Sequence, residues 1–254
     1  MRRLILLFVL LALCIGDLHA EDASVQDRFR QGLERYRAAD YRGAIGIFEE
    51  LAAEGYSGFD LYYNLGAANY KNGDLGKSIL YYERALLIEP GSPDVRHNLN
   101  VVRARLRDRV DPIPLLFFVQ WWNDIKTGHR PETMFWWSLV LFWTLAAAAF
   151  VFFGFRRVLL RRIALATGIV LLVLFSVTLS LALIRDAEIE AHRNAVVMVT
   201  EATVRSSPDA SAVESFLVHE GLVVSILEAE NGQFRIRLED GKTGWIEASA
   251  VERI

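Results

Sequence analysis

Residues 134–184 read MFWWSLVLFWTLAAAAFVFFGF, RRVLLRR, IALATGIVLLVLFSVTLSLALI: two uncharged apolar runs of 22 residues flanking a loop with four arginines. About 20 apolar residues in a helix cross the hydrocarbon core, and a helix satisfies its own backbone hydrogen bonds, as lipid requires. The spacing therefore predicts a transmembrane hairpin, spans 134–155 and 163–184. Short Lys/Arg-rich loops stay on the cytoplasmic side, so 156–162 is expected there, with everything outside the hairpin on the opposite face.

The N-terminus predicts the same topology. Met1-Arg-Arg is a positive leader start, Leu4 to Ile15 is an apolar stretch too short for a span, and Leu18-His-Ala20 offers a cleavage site before Glu21. Residues 1–20 read as a bacterial export signal. Cys14-Ile-Gly16 is a competing cleavage site, and Leu13 stands where a lipoprotein signal has a small residue before its cysteine. Cys14 is the only cysteine in 254 residues, so packing without disulfides must hold each exported domain.

Residues 21–110 carry an internal repeat. Ala39 to Phe48 aligns on Gly73 to Tyr82 with a constant offset of 34 residues, which also places Phe29 on Tyr63, Gly32 on Gly66, Tyr36 on Tyr70 and Asp40 on Asp74. A 34-residue period is the mark of a helix–turn–helix repeat. The second copy, Tyr62 through Pro90, resembles the tetratricopeptide repeat at nearly every signature position. The first copy is partial, with Gln31, Arg35 and Tyr56 off the pattern. Small residues at Gly32, Ala44, Gly66 and Ser78 predict close helix approach, with Phe48, Tyr82 and Leu86 filling the space between neighbours. The frame gives repeats at 25–58 and 59–92, then a capping helix over 93–109 that opens on Pro93. The arginines at 103, 105, 107 and 109 are expected to complement that helix's C-terminal dipole.

In tetratricopeptide arrays the first helix of each repeat lines a concave groove that takes a partner peptide or helix. By that resemblance the groove residues are Phe29, Leu33, Tyr36, Tyr63, Asn64, Tyr70 and Lys71, joined by His97 and Val101 from the capping helix. Family members that grip C-terminal carboxylates carry Lys and Asn where Phe29 and Leu33 stand, so this groove departs from that clamp. Two readings of Tyr63 and Tyr70 stay open: binding surface, or rings stacked within the array.

Asp111-Pro-Ile-Pro114 breaks the capping helix and begins a juxtamembrane segment over 111–133, rich in Leu, Phe and Trp. It is too short to span, and Trp121, Trp122, Trp136 and Trp137 suit the interfacial belt. Within the spans, Ala164 with Gly168, Ser176 with Ser180, and Ala146 to Ala149 predict smooth helix contact, by self-packing of the hairpin or against a partner's span.

After a linker at 185–194 the period changes. Val196 to Thr200, Leu222 to Glu228, Gln233 to Leu238 and Thr243 to Glu247 are short β-rich runs, separated at Asn231-Gly232 and Asp240-Gly241 by tight-turn signals. An antiparallel barrel follows for 195–254. Thr203-Val-Arg-Ser-Ser-Pro208, Glu220-Gly221 and Gly241-Lys-Thr-Gly-Trp-Ile246 resemble a bacterial SH3-like domain. Trp245 is equally a core residue or a surface candidate. With 10 acidic and 5 basic residues over 195–254, the domain should repel anionic polymers.

No phosphate-binding loop, His-Glu-x-x-His or nucleophile elbow is present, and His97, His129, His192 and His219 lack ligand spacing. The expectation is therefore no enzyme, no cofactor, no metal and no small-molecule substrate. A net charge of −3 argues against nucleic acid. The expected fold is a multidomain membrane protein: all-α tetratricopeptide repeats, a two-helix transmembrane hairpin and a small all-β SH3-like barrel. That order of parts, with Leu80-Tyr-Tyr-Glu-Arg-Ala-Leu86 and Asp94-Val-Arg-His-Asn-Leu99, resembles the Bat aerotolerance family. The resemblance implies partners: membrane proteins with von Willebrand A domains, with an associated MoxR-type ATPase system. The function expected is a non-enzymatic inner-membrane scaffold holding periplasmic partners at the lipid bilayer, within an aerotolerance or envelope-stress complex. The alternative is a membrane-anchored binder of cell-wall peptides.

Overall fold

The computed structural model describes residues 24–110, 116–119, 128, 130–190, 193–209 and 212–254. The signal expectation for 1–20 and the interfacial placement of Trp121 and Trp122 lie outside them.

Five helices come first: α1 (24–37), α2 (Tyr41–Ala53), α3 (Phe59–Asn72), α4 (Leu75–Ile88) and α5 (Pro93–Arg103). The 34-residue offset is visible atom by atom. Asp40 and Asp74 are the N-caps of α2 and α4, accepting from Gly43 N and Lys77 N. The turns before them place Ala39 at φ 61° and Gly73 at φ 95°. A Cβ on Gly32 would sit 2.4 Å from the Phe48 ring, and one on Gly66 2.7 Å from the Tyr82 ring. These glycines are what let paired helices close on an aromatic. The rings repeat as well: Phe29 meets Phe48 at 5.4 Å and Tyr63 meets Tyr82 at 5.9 Å between centroids. Ser78 Oγ donates to Gly66 O at 2.8 Å, satisfying a buried hydroxyl across the α3–α4 contact.

The helix that opens at Pro93 ends at Arg103, not at 109. The sequence offers no breaker before Pro112, so tertiary contacts decide the end. Residues 104–110 leave the helix, and their arginines do not complement its dipole as a group. The Arg105 guanidinium lies 4.7 Å from the Tyr70 ring centroid, Arg107 faces Glu201, and only Arg103, paired with Glu83 at 2.6 Å, stays in the last turn.

Two long antiparallel helices follow, α6 (Pro131–Gly154) and α7 (Val158–Glu190). Within them Glu132–Gly154 and Val158–Ile184 are long and apolar enough to cross a membrane, with mean hydropathies of 1.9 and 2.5. Their apolar side chains are largely uncovered, Phe153 by 82%, whereas a soluble core helix would bury them. The turn is only 155–157, so Arg161 and Arg162 lie in α7, and helix continues through most of the expected linker. Ala164 is buried, and a Cβ on Gly168 would lie 4.0 Å from Leu145, so that pair faces the hairpin. Ser176, Ser180, Ala146, Ala147 and Ala149 face outward. Near the other end, Ser138 Oγ lies 3.1 Å from Thr178 Oγ1 across the hairpin.

The C-terminal region is a seven-stranded antiparallel sheet in the order β3-β2-β6-β5-β4-β1-β7. Its strands are β1 (Asn194–Val197), β2 (Glu201–Arg205), β3 (Glu214–His219), β4 (Val223–Glu230), β5 (Gln233–Arg237), β6 (Thr243–Glu247) and β7 (Val251–Arg253). The β4–β5 turn places Asn231 and Gly232 at φ 48° and 77°, the doubly left-handed conformation that Asn-Gly favours. Ala195, Val197, Val204, Val224, Ile236 and Ile246 form its core.

This sheet does not stand apart from the repeats. In β1, Ala195, Val196 and Val197 are all buried: Ala195 and Val197 enter the sheet core, while Val196 and Ile254 join Ile79, Leu80, Val95, Leu99 and Val102 of α4 and α5. Among the described residues, the third repeat has a first helix, α5, and no second helix of the repeat's length. The sheet covers the apolar face that such a helix would cover.

Candidate functional site

The repeat groove begins with α1, which turns Phe29 and Leu33 toward an open cleft. That cleft, about 550 Å³, is lined by Val25, Phe29, Leu33, Tyr56, Phe59 and Glu89, among others. Apolar walls with few charges suit an apolar side chain or helix edge. Glu89 at its rim pairs with Arg130, the residue before α6, so the cleft lies beside the start of the first apolar hairpin helix.

The remaining predicted groove residues divide into stacked and free. Tyr36 packs edge-on against Tyr41 at 5.4 Å, and burial raises its phenol above the ordinary range. Tyr63 stacks on Phe59 at 5.9 Å, and its hydroxyl accepts from Asn98 Nδ2 at 3.3 Å. The Asn64 amide donates to Asp60 O within its own helix. Tyr70 lies under Arg105. Rings and amide are thus held within the array, which favours the stacking reading for Tyr63 and Tyr70. Lys71, His97 and Val101 are exposed, away from the cleft. Burial also pushes the Tyr81 phenol up to about 12, and Tyr82 rises for the same reason; both stay neutral hydrogen-bonding groups at physiological pH.

Residues 29–94 match the family model for the tetratricopeptide repeat. That stretch begins at Phe29 in α1 and ends at the start of α5. Tetratricopeptide repeats mediate protein–protein contact, and that role fits the region. No curated protein matches the chain.

Trp245 is only 9% exposed. It lines a cavity of about 290 Å³ with Glu201, Arg205, Gln233 and Glu247, where the buried Oε1 of Gln233 has no partner among the described residues. It belongs to the wall of an indentation, not to an exposed aromatic platform.

The contact that sequence reasoning missed joins repeats and sheet through three consecutive residues. His219 Nδ1 lies 2.7 Å from Asp108 Oδ1, while its backbone N donates to Asp108 Oδ2 at 2.6 Å. Glu220 Oε1 accepts from Gly76 N at 2.8 Å, placing a second carboxylate beside Asp74 at the α4 N-terminus. Gly221, at φ +87°, has Leu106 and Ile79 where a Cβ would point. Arg84 completes the joint by donating to Glu252 Oε1 and Arg253 O. The readable signal was the Val196-Val197 run: successive apolar residues imply a strand buried on both faces, and nothing within the sheet domain covers the outer one.

Proposed function

We propose that the chain is a non-enzymatic scaffold of the bacterial inner membrane, with repeats and sheet on the periplasmic side and the arginines at 156, 157, 161 and 162 toward the cytoplasm. The observation that carries this reading is the joint. Domains preceding and following the hairpin share one apolar cluster, and that contact requires both on the same side of a twice-crossed bilayer. The arginines at the turn favour the cytoplasm for the opposite side. Leu116, Phe117 and Phe118, all exposed, are suited to the headgroup boundary, which would hold the repeats close to the surface.

Partner capture is assigned to the cleft of Phe29, Leu33 and Phe59. Its neighbourhood to Arg130 favours the membrane-proximal part of another membrane protein. By the resemblance of the whole chain to the Bat aerotolerance family, the partners are membrane proteins with von Willebrand A domains, acting with a MoxR-type ATPase system in envelope stress. The test is affinity purification of tagged full-length protein from native membranes in mild detergent, with mass spectrometry of the co-purifying chains. Recovery of von Willebrand A membrane proteins that is lost in Leu33→Ser, and kept in Lys71→Ala, supports the assignment. Recovery of none of them overturns it.

The cavity beside Trp245 favours a second reading, in which the sheet binds cell-wall peptides. Isolated sacculi that fail to retain the full-length protein would remove that reading.

A further inference from the structure

The turn of the hairpin carries a charge that the chain around it does not balance. Between Glu132 and Asp186 the charged residues are Arg156, Arg157, Arg161, Arg162 and Arg185, with no acid among them. In the soluble regions Arg28, Arg35, Arg84, Arg103 and Arg235 each have a carboxylate within 3.0 Å. None of the four arginines at the turn has one among the described residues, and all four are exposed. Arg157 and Arg161 lie one helical turn apart, since Arg161 N donates to Arg157 O at 3.1 Å, and like charges so placed repel. The Arg161 guanidinium is nonetheless held in position, 4.8 Å from the ring centroid of Phe152 in α6, a contact that steadies the cation and supplies no countercharge. Apolar side chains alternate with these arginines: Phe153, Phe155, Val158, Leu159 and Ile163 are all exposed.

We propose that the turn is a binding site for an anionic phospholipid, with the phosphate between Arg157 and Arg161 and an acyl chain along the exposed apolar side chains beside them. The inference rests on the hairpin crossing the bilayer, as proposed above, and adds a ligand at its turn. Guanidinium groups hold a phosphate through paired N–H bonds, and a phosphate set between two cations one turn apart replaces their repulsion with attraction to a shared anion. Arg156 and Arg162 add to the positive field. Phe153 and Leu159 favour a lipid over a free phosphate ion: an acyl chain covers apolar surface, and an inorganic ion does not. Basic clusters at the membrane end of a helix recognise anionic headgroups by this combination. A zwitterionic headgroup brings its own cation with the phosphate, so the site discriminates by the net charge of the headgroup.

The experiment is native mass spectrometry of the full-length protein in a neutral detergent, titrated with phosphatidylglycerol or with phosphatidylcholine of the same acyl chains. Phosphatidylglycerol is expected to bind about 25-fold more tightly, about fivefold for each of two guanidinium groups. Arg157→Gln combined with Arg161→Gln removes that preference. Arg235→Gln combined with Arg237→Gln takes the same charge from the sheet and keeps it. Equal binding of the two lipids by the unaltered protein overturns the site, as does a preference that survives the paired change at 157 and 161. Displacement of phosphatidylglycerol by an equal concentration of inorganic phosphate overturns it too, by revealing a site for the free ion. If the paired variant does not fold, the unaltered protein's two titrations still decide. A chain that stays in solution without detergent overturns the membrane reading and the site with it; one that needs detergent and takes both lipids equally overturns the lipid site alone.

Discussion

The two ends of the repeat stack are built from the same helical unit and meet opposite fates. Beside α1, Phe29 and Leu33, with Phe59 of α3, line an open cleft; at the α4–α5 end, Val95, Leu99 and Val102 are buried under Val196 and Ile254. A repeat cannot bury its own apolar face, so each end of a short array needs a cover. Here one end has a cover of a different fold, and the other carries an open cleft among the described residues. A cap need not be a helix: two β-branched side chains, Val196 and Ile254, and a well-placed turn supply the missing surface.

The sharpest way to break this comparison is to damage one end and watch the other. Phe48→Ala removes a fully buried ring at the open end and should cost about 3–5 kcal/mol. Thermal melting followed by hydrogen exchange should show α1–α3 loosened while the sheet core stays protected. Equal loss in both would mean that the ends are not separable. Gly221→Val does the reverse: it forces a side chain into the Leu106 contact at a left-handed φ, with an expected loss of about 2–4 kcal/mol confined to the joint. Its check is increased protease cleavage within 104–110, with the α2–α3 contact intact.

One turn position, alike in backbone and different in residue between the two repeats, sharpens the comparison further. Ala39 occupies the left-handed turn that its counterpart Gly73 occupies without strain. Ala39→Gly should stabilise the first repeat by about 0.5–1 kcal/mol, and Gly73→Ala should destabilise the second by about 1 kcal/mol, both read from denaturant midpoints. The smallest expected effect is an acid one. Gly43 N–H, then Arg35, holds the Asp40 carboxyl below its usual range. A depressed folded value means that the cap's contribution is present above the ordinary carboxylate range and is lost as pH falls through the lowered one. Asp40→Asn should therefore flatten the acid limb of α2 unfolding by circular dichroism; an unchanged limb would show that Asp40 does not set it.

How much of this was legible depends on the range of the interaction. The 34-residue period located Gly32 and Gly66 as close-approach sites because each acts on a ring of its own repeat. Asn231-Gly232 located a turn because turn geometry is local. The apolar character of α6 and α7 was equally readable, though α7 runs beyond the expected span at both ends. The end of α5 was not: Arg-Ala-Arg-Leu-Arg-Asp has no local breaker, and the chain leaves the helix where Arg105 meets Tyr70 and Leu106 meets Gly221. The strands β2, β3 and β7 were missed for a related reason: their pairing partners define them. Of the groove residues, Phe29 and Leu33 reach the cleft. Tyr63 and Tyr70 are held by Asn98 and Arg105, residues that no repeat pattern pairs with them.

The cover over α4 and α5 has a consequence for the order of events during synthesis. Val196 leaves the ribosome about a hundred residues after Leu99, a wait on the order of 5–20 s at ordinary translation rates, and both hairpin helices emerge in between. For that interval Val95, Leu99 and Val102 have no native neighbour on their outer side. The joint is a late, long-range contact, so nascent chains stalled within the hairpin should be the aggregation-prone species, and a holding chaperone would find its substrate on α4 and α5.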